Sequence, residues 1–415
     1  MVRQSTSKPR ISEGLMGDAD SAEGVSVGLE WKLLFPLLAR RVDDPQPDDR
    51  RCVVEAQCED DEQTCLVQAH ECVAKTIREC GEKAVTAHTL SKEGTEEKDF
   101  WNSTWIVKKA NSAEPMAKEK LFKGYVWVPV EICSPKLRIK DAGTRDRVEG
   151  VLNALNSSYR LAANCSCEVH IHLGRMDDRS WSLPTLKRLG SLLWLAEPTL
   201  RSIRDPNSAN FDNTYTWGFA MRQHSRLAKM PRGLSAQPRS VRMANPVIEI
   251  PDELAVAVNP RHTAALAKEV DALSEIQKAA SHLELGRLLS GSEKKYRRLG
   301  FNFSAFGEED ERARRNPRTM EFRFMEGSVS TELILSWLTI CGAIIEMSVV
   351  SSDNSFAAIL GPLMVQRAES RHTTASGFNE MRGARRARQF RELMKALGVS
   401  EANYRGFEEK IKREY

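Results

Sequence analysis

The chain has 415 residues, of which 41% are hydrophobic and 28% are charged, and its formal net charge is +4. This composition excludes a disordered chain, and the near balance of charges gives no support for a nucleic-acid or membrane partner. Nine cysteines in so long a chain are typical of reduced thiols, and the polar N-terminus lacks the apolar run of a signal peptide, so we expect a cytoplasmic protein.

The spacing of apolar residues predicts several strands and long helices. Residues 1–24 are polar and are predicted to form a disordered tail. Strands are predicted, in chain order, over 25–35, 84–88, 103–107, 124–133, 164–173, 301–306 and 318–324. Helices are predicted over 61–81, 144–160, 181–204, 263–289 and 332–347, followed by a charged helical C-terminal extension over 351–415.

These elements do not alternate regularly along the chain, and several strands carry polar residues on one face. Both features favour an α+β fold in which an antiparallel sheet packs helices on one face and leaves the other for solvent or function. The most apolar stretch, 333–350, is interrupted by polar residues and predicts a buried helix rather than a membrane span.

Four of the predicted strands carry charged residues or histidines. They are Glu30 and Lys32, Glu131, His170 and His172, and Glu321 and Arg323. Residues two apart in a strand point to the same face, and the residues between them here are apolar. A single pair of this kind is typical of a solvated strand face, but four such strands together predict a polar site with carboxylates and imidazoles suited to Mg²⁺ or Mn²⁺.

These strands resemble motifs of the amidoligase family, which is related to glutamine synthetase and glutamate–cysteine ligase. The family's GxExE, VELxSP, HVHVG and TxEFRxxEG strands are similar to GLEWK, VEICSP, HIHLG and TMEFRFMEG here. The resemblance covers roughly residues 25–347, so we expect a catalytic domain over 25–350. It implies a curved antiparallel sheet of the glutamine-synthetase type. It also implies an ATP-dependent ligase that joins a carboxylate to an amine through an acyl phosphate, with small-molecule or peptide substrates.

The resemblance also implies roles for individual residues. Glu30, His170 and Glu321 would hold a metal near the ATP phosphates, and Glu131 would serve a second metal or the substrate amine. Arg323 would hold a phosphate or a carboxylate, with His172, Arg201 and Arg204 as further contacts to nucleotide or substrate.

Lys32 departs from the family pattern, because it stands where the family has a second metal-binding Glu. A protonated lysine cannot bind a divalent cation. Either the second metal is lost and the protein is a catalytically degenerate binding protein, or the Lys32 ammonium takes the place of a cation and acts in catalysis.

Other readings of the sequence have weaker support. A metal-dependent hydrolase could use the same histidines and carboxylates without ATP. A zinc site joining Cys165 and Cys167 to the histidines is disfavoured, because strand alternation would put the two pairs on opposite faces. The basic segment 382–395 is typical of a solvated helix face. The chain contains no Walker-type phosphate loop, GxSxG elbow or HExxH motif.

Overall fold

The computed structural model describes residues 20–208, 219–230, 240–242, 247–249, 260–293, 296–307, 318–370 and 379–415. Its strands are β1 Val25–Leu38, β2 Val54–Glu55, β3 Ala84–Thr86, β4 Trp105–Lys109, β5 Tyr125–Cys133, β6 Leu137–Arg138, β7 Glu168–Arg175, β8 Ser240–Arg242, β9 Val247–Glu249, β10 Phe301–Asn302 and β11 Met320–Glu326. The helices are α1 Glu62–Glu79, α2 Ala87–Glu93, α3 Ala117–Lys120, α4 Ala142–Ser158, α5 Leu183–Leu200, α6 Met221–His224, α7 Arg226–Lys229, α8 Pro260–Lys278, α9 His282–Leu289, α10 Ser304–Gly307, α11 Thr331–Val350, α12 Asp353–Ser370, α13 Asn379–Ala396 and α14 Glu401–Glu414.

The main sheet is open, and most of its strand pairs are antiparallel. Its order is β10–β11–β7–β1–β5–β4–β3, and β2 and β6 also pair with β1. Only the β1–β2 and β3–β4 pairs are parallel among the described strands. The predicted α+β class with a largely antiparallel sheet is therefore confirmed, whereas the glutamine-synthetase type of sheet stays a prediction.

One face of the sheet packs on the helices. In β1 the odd-numbered residues from Val25 to Leu37 are buried in one large apolar core together with residues of α1, α4, α5 and α11. The even-numbered residues Glu30 and Lys32 point to the opposite face, as strand alternation requires. The sequence pattern thus fixes which face of the sheet carries polar chemistry.

Helix α11 is long and apolar enough to cross a membrane, but 61% of its most apolar 18-residue stretch is buried inside the protein. It packs against α4, α5, α14 and β7. This burial is typical of the core helix of a soluble protein, while the cytoplasmic location stays a prediction.

Both ends of the described chain pack on this core. Phe407 of α14 contacts Trp337 of α11 and Phe390 of α13, with ring centroids 6.4 and 6.3 Å apart. At the other end, residues 1–19 of the predicted tail lie outside the described residues, whereas Asp20 forms an ion pair with Arg175. The division of the chain into tail, domain and extension stays a prediction.

Side-chain hydrogen bonds interrupt or shorten some of the predicted elements, and two examples show how. The helix predicted over 263–289 is two helices, because Ser281 caps α9 by accepting a hydrogen bond from the Glu284 N–H and Glu284 accepts one from the Ala280 N–H. The strand predicted over 301–306 ends at Asn302, whose side-chain oxygen accepts the Ser304 N–H and turns the chain into α10.

Candidate active site

The register of four adjacent strands brings the predicted polar residues onto one face. Glu30 of β1 lies opposite His170 of β7, and Lys32 lies opposite Glu131 of β5. On the far side of β7, Glu321 of β11 pairs with His172. Residues separated by up to 291 positions in the sequence therefore share one patch.

A β-bulge in β11 shapes one side of this patch. Phe322 pairs with Ile171 and Met325 with Val169, so β11 has one residue more than β7 between these pairs. The bulge keeps Arg323 on the polar face and returns Glu326 to that face opposite Glu168, where simple alternation would have turned it into the core.

His170 lies fully buried between two carboxylates. Its Nδ1 atom is 2.9 Å from Glu30 Oε2, and its Nε2 atom is 2.7 Å from Glu168 Oε2. Both ring nitrogens are thus already engaged by the protein. The metal-binding role predicted for His170 stays a prediction.

His172 has a different environment, because its side chain is partly exposed, at 23%. Its Nδ1 atom is 3.2 Å from Thr319 Oγ1. Its Nε2 atom lies 3.2 Å from Glu30 Oε1 but is buried and, in the part of the chain that the structure describes, makes no well-formed hydrogen bond. Glu30, His172 and Glu321 can each place one ligand atom within 4.8 Å of the others. This set fits a divalent cation, since two carboxylates and an imidazole are ligands that Mn²⁺ or Mg²⁺ accepts.

Lys32 is nearly buried in the middle of the patch, with 7% of its surface exposed. Its Nζ atom lies 3.4 Å from His170 Nδ1, 3.7 Å from Glu168 Oε2 and 4.0 Å from Glu131 Oε2. The ammonium group therefore stands among acidic side chains, where a bound cation would also be stabilised.

Arg323 and Asn302 fix the orientation of Glu321. Asn302 Nδ2 donates a 2.6 Å hydrogen bond to Glu321 Oε2, and the Arg323 guanidinium binds Glu321 Oε1. A second guanidinium nitrogen of Arg323 lies 3.6 Å from Glu168 Oε2. The arginine thus joins two carboxylates from neighbouring strands.

These contacts hold the carboxylates in the ionised form. Burial alone would raise the pKa of Glu30, but His172 and His170 outweigh it and hold the pKa well below its usual value. Burial is likewise outweighed at Glu321, where Arg323 and the two histidines lower the pKa to about 2. For His172, burial lowers the pKa but Glu30 and Glu321 more than compensate, so its pKa is raised.

A small apolar cluster closes one end of the polar face. It contains Leu34, Ala110, Ala113 and Cys167, with Trp127 packed against it. Leu34 follows Lys32 on the same face of β1, so the polar patch ends there. Cys167 lies in this cluster and in a turn before β7, and neither it nor Cys165 belongs to a metal-binding group among the described residues.

Arg201 and Arg204 follow the end of α5, and they differ in their surroundings. Arg201 lines a cavity of about 620 Å³ together with Trp194, Glu197 and Arg222, and none of the sheet residues lines it. Arg204 is 1% exposed, and its Nε atom lies 4.0 Å from Glu326 Oε1. Their contacts to phosphate or substrate stay predictions.

The structure adds site residues that the sequence reasoning did not name. They are Glu168, Lys108, Cys133, Asn302 and Thr319. Glu168 could have been found by extending the alternation one step back from His170. Lys108 lies one residue beyond the predicted end of its strand, at Val107, so the predicted polar positions do not include it.

A family model described as "putative amidoligase enzyme" matches residues 58–238, which is under half of the chain. That description indicates a ligase-type enzyme. No match was found among curated proteins or solved structures. The matched range contains β5 and β7, with Glu131, His170 and His172, whereas β1 and β11 lie outside it. Over residues 58–238, this match confirms the resemblance to the amidoligase family that the strand motifs predict.

Proposed function

We propose that the protein is an ATP-dependent ligase that joins a carboxylate to an amine. One observation carries the proposal: Glu30, His172 and Glu321 converge within 4.8 Å, and Arg323 and Lys32 lie beside them on the same sheet face. A group of metal ligands next to fixed positive charges is the arrangement that phosphoryl transfer requires.

The donor set fits a divalent metal ion. Glu30 and Glu321 supply carboxylate oxygens, and His172 supplies a buried Nε2 atom that makes no well-formed hydrogen bond among the described residues. This Nε2 atom, which lies near both carboxylates, supports a metal-ligand role for His172 in addition to the one predicted for His170. A bound Mg²⁺ or Mn²⁺ would neutralise charge on the phosphate oxygens of ATP.

The proposed reaction has two steps. First, an oxygen of the substrate carboxylate attacks the γ-phosphorus of ATP, and the bond from phosphorus to the ADP oxygen breaks. The amine then attacks the acyl carbon, phosphate leaves, and the nitrogen loses a proton to give the amide. The guanidinium of Arg323 and the ammonium of Lys32 would bind the transferred phosphoryl oxygens, because both are held in place by Glu168 and need little reorganisation.

A second candidate function is a catalytically degenerate binding protein with the same fold. The observation that favours it is Lys32, whose ammonium lies 4.0 Å from Glu131, the carboxylate to which the resemblance assigns a second metal. Such a protein would bind a nucleotide or another anion without turning it over.

Nucleotide turnover separates these functions. ADP release would be measured with Mg²⁺ or Mn²⁺ and a pool of amino acids and polyamines, with hydroxylamine added to trap an acyl phosphate as a hydroxamate. The ligase predicts ADP release that needs the metal and the carboxylate, and that Glu321→Gln abolishes. Glu409→Gln is the matched control, because Glu409 is exposed and pairs only with Arg405 on α14 among the ion pairs described.

Three other outcomes would contradict the ligase. Nucleotide binding without turnover would favour the degenerate binding protein. Absence of metal-dependent nucleotide binding would remove the basis of the proposal. Metal-dependent cleavage of a substrate without ATP would indicate a hydrolase.

A further inference from the structure

Glu131 lies between two lysines that come from the strands on either side of it. Lys32 of β1 and Lys108 of β4 are both directly opposite Glu131 of β5 in the sheet register. Lys32 Nζ is 4.0 Å from Glu131 Oε2, and Lys108 Nζ is 3.5 Å from Glu131 Oε1. Each carboxylate oxygen therefore faces one ammonium group.

These three side chains are fixed by their surroundings. The side chains of Lys32 and Glu131 are 9% and 12% exposed, and that of Lys108 is 29% exposed and also donates a 3.1 Å hydrogen bond to Glu97. Lys32 is thus enclosed and Lys108 is held by Glu97 as well as by Glu131, so two positive charges lie beside Glu131.

The same charges surround a second group of possible metal ligands. Glu30, Glu131 and Cys133 can place ligand atoms within 4.8 Å of one another. A divalent cation bound there would be repelled by both lysines. The group of Glu30, His172 and Glu321 contacts neither lysine in the ion pairs described.

We infer that Lys32 and Lys108, held on Glu131, replace a second divalent cation and bind the anionic group of the substrate. An ammonium group carries three donors, and the structure gives Lys32 one hydrogen-bond contact, to His170, within the described residues. Its remaining donors are available to a phosphate or carboxylate oxygen. This inference rests on the proposed function, since it assumes that a single metal ion binds next to the lysines.

Metal stoichiometry tests the inference without any assay of activity. Free Mn²⁺ would be counted by electron paramagnetic resonance during titration of the full chain. We expect one ion per chain in the wild type, none in His172→Ala, and two in the double variant Lys32→Gln, Lys108→Gln. Two ions in the wild type would overturn the inference and leave the ligase proposal standing. One ion in a folded double variant would also overturn it, because the lysines would then not be what excludes the second ion.

Anion binding gives an independent test with a matched control. Pyrophosphate would be titrated calorimetrically into the metal-free protein at low ionic strength. We expect Lys108→Met to weaken binding about tenfold or more, since a charge contact of this kind is worth more than 1.4 kcal/mol. Lys109→Met is the control, because Lys109 is the next residue, lies on the other face of β4 and pairs with Glu62.

The two titrations also separate the two proposals. Equal pyrophosphate affinity in wild type and Lys108→Met would overturn the inferred anion site. A wild type that binds no Mn²⁺ would contradict the metal group of the proposed function, while Lys108-dependent pyrophosphate binding would still support the anion site. Thermal melting of each variant would verify folding, and the wild-type ion count decides the stoichiometry even if the double variant does not fold.

Discussion

Replacing Glu168 by Gln removes one negative charge from the centre of the site and leaves the shape of the side chain unchanged. Glu168 is 1% exposed, and its Oε2 atom lies 2.7 Å from His170 Nε2, 3.7 Å from Lys32 and 3.6 Å from Arg323. The amide of Gln keeps a polar contact to His170 but cannot neutralise Lys32 and Arg323. We therefore expect a large loss of stability from a single isosteric change.

The magnitude follows from the pKa of Glu168. Burial alone would raise this pKa, but His170, Arg323 and Lys32 lower it from 4.5 to about 2. Because one pKa unit corresponds to 1.4 kcal/mol, the ionised form is stabilised by about 3 kcal/mol relative to the unfolded chain. Breaking a buried ion pair by removing one partner costs a similar amount, about 3–5 kcal/mol.

Equilibrium unfolding in urea at pH 7, followed by tryptophan fluorescence, measures this loss. Trp31 of β1 is a suitable reporter, since it is buried and its Nε1 atom donates a 2.8 Å hydrogen bond to Ser328 in the loop after β11. Glu409→Gln is the control and should change the free energy of unfolding by less than about 1 kcal/mol, because its ion pair with Arg405 is exposed.

The pH dependence gives a second check with a defined sign. A lowered pKa in the folded state stabilises the protein above the unfolded pKa of 4.5, and this stabilisation is lost as the pH falls towards about 2. The difference between wild type and Glu168→Gln should therefore be constant above pH 5 and shrink below it. A Glu168→Gln variant within about 1 kcal/mol of wild type at pH 7 would refute the reasoning.

Three further changes test other parts of the structure. Ser281→Ala removes the cap of α9 and should lower the free energy of unfolding by about 1 kcal/mol in urea denaturation. Gly300→Ala should destabilise the protein strongly, because the added Cβ would lie 2.2 Å from the Phe324 ring. Gly361→Ala in α12 should instead stabilise it by up to about 1 kcal/mol, because nothing lies within 4 Å of the added Cβ. Equal melting temperatures for the two variants would contradict this packing. His172→Ala should keep the melting temperature of the wild type to within a few degrees but abolish Mn²⁺ binding, and retained binding would exclude His172 as a ligand.

The sequence predicts the polar face of the sheet well, because strand alternation is a local property. Glu30 and Lys32, and also Glu321 and Arg323, point to the same face at two-residue spacing, and the apolar residues between them enter the core. The position of Lys108 opposite Glu131 could not be predicted in this way. It depends on the pairing of β4 with β5 and on the exact end of β4, and neither is encoded by local periodicity.

The different environments of His170 and His172 also could not be predicted from the sequence. His170 and His172 share one face and one motif, so alternation treats them as equivalent. They differ because His170 lies opposite Glu30 and beside Glu168, whereas His172 lies opposite Gly28, which has no side chain. Because Gly28 has no side chain, His172 is partly exposed, whereas His170 is fully buried. The chemical difference between two identical residues therefore comes from their cross-strand neighbours.

The neighbours of Lys32 also indicate whether this residue marks a decayed metal site or has a role of its own. If Lys32 marked only the decay of a metal site, its ammonium would be expected to turn towards solvent, where it is best hydrated. Instead it is 7% exposed and lies within 4.0 Å of Glu131 and Glu168, while Lys108 supports Glu131 from the other side. Burying a lysine is favourable only when acidic partners compensate for its lost hydration. The site is thus arranged around the lysine, which favours a binding or catalytic role for Lys32 over simple loss of a ligand.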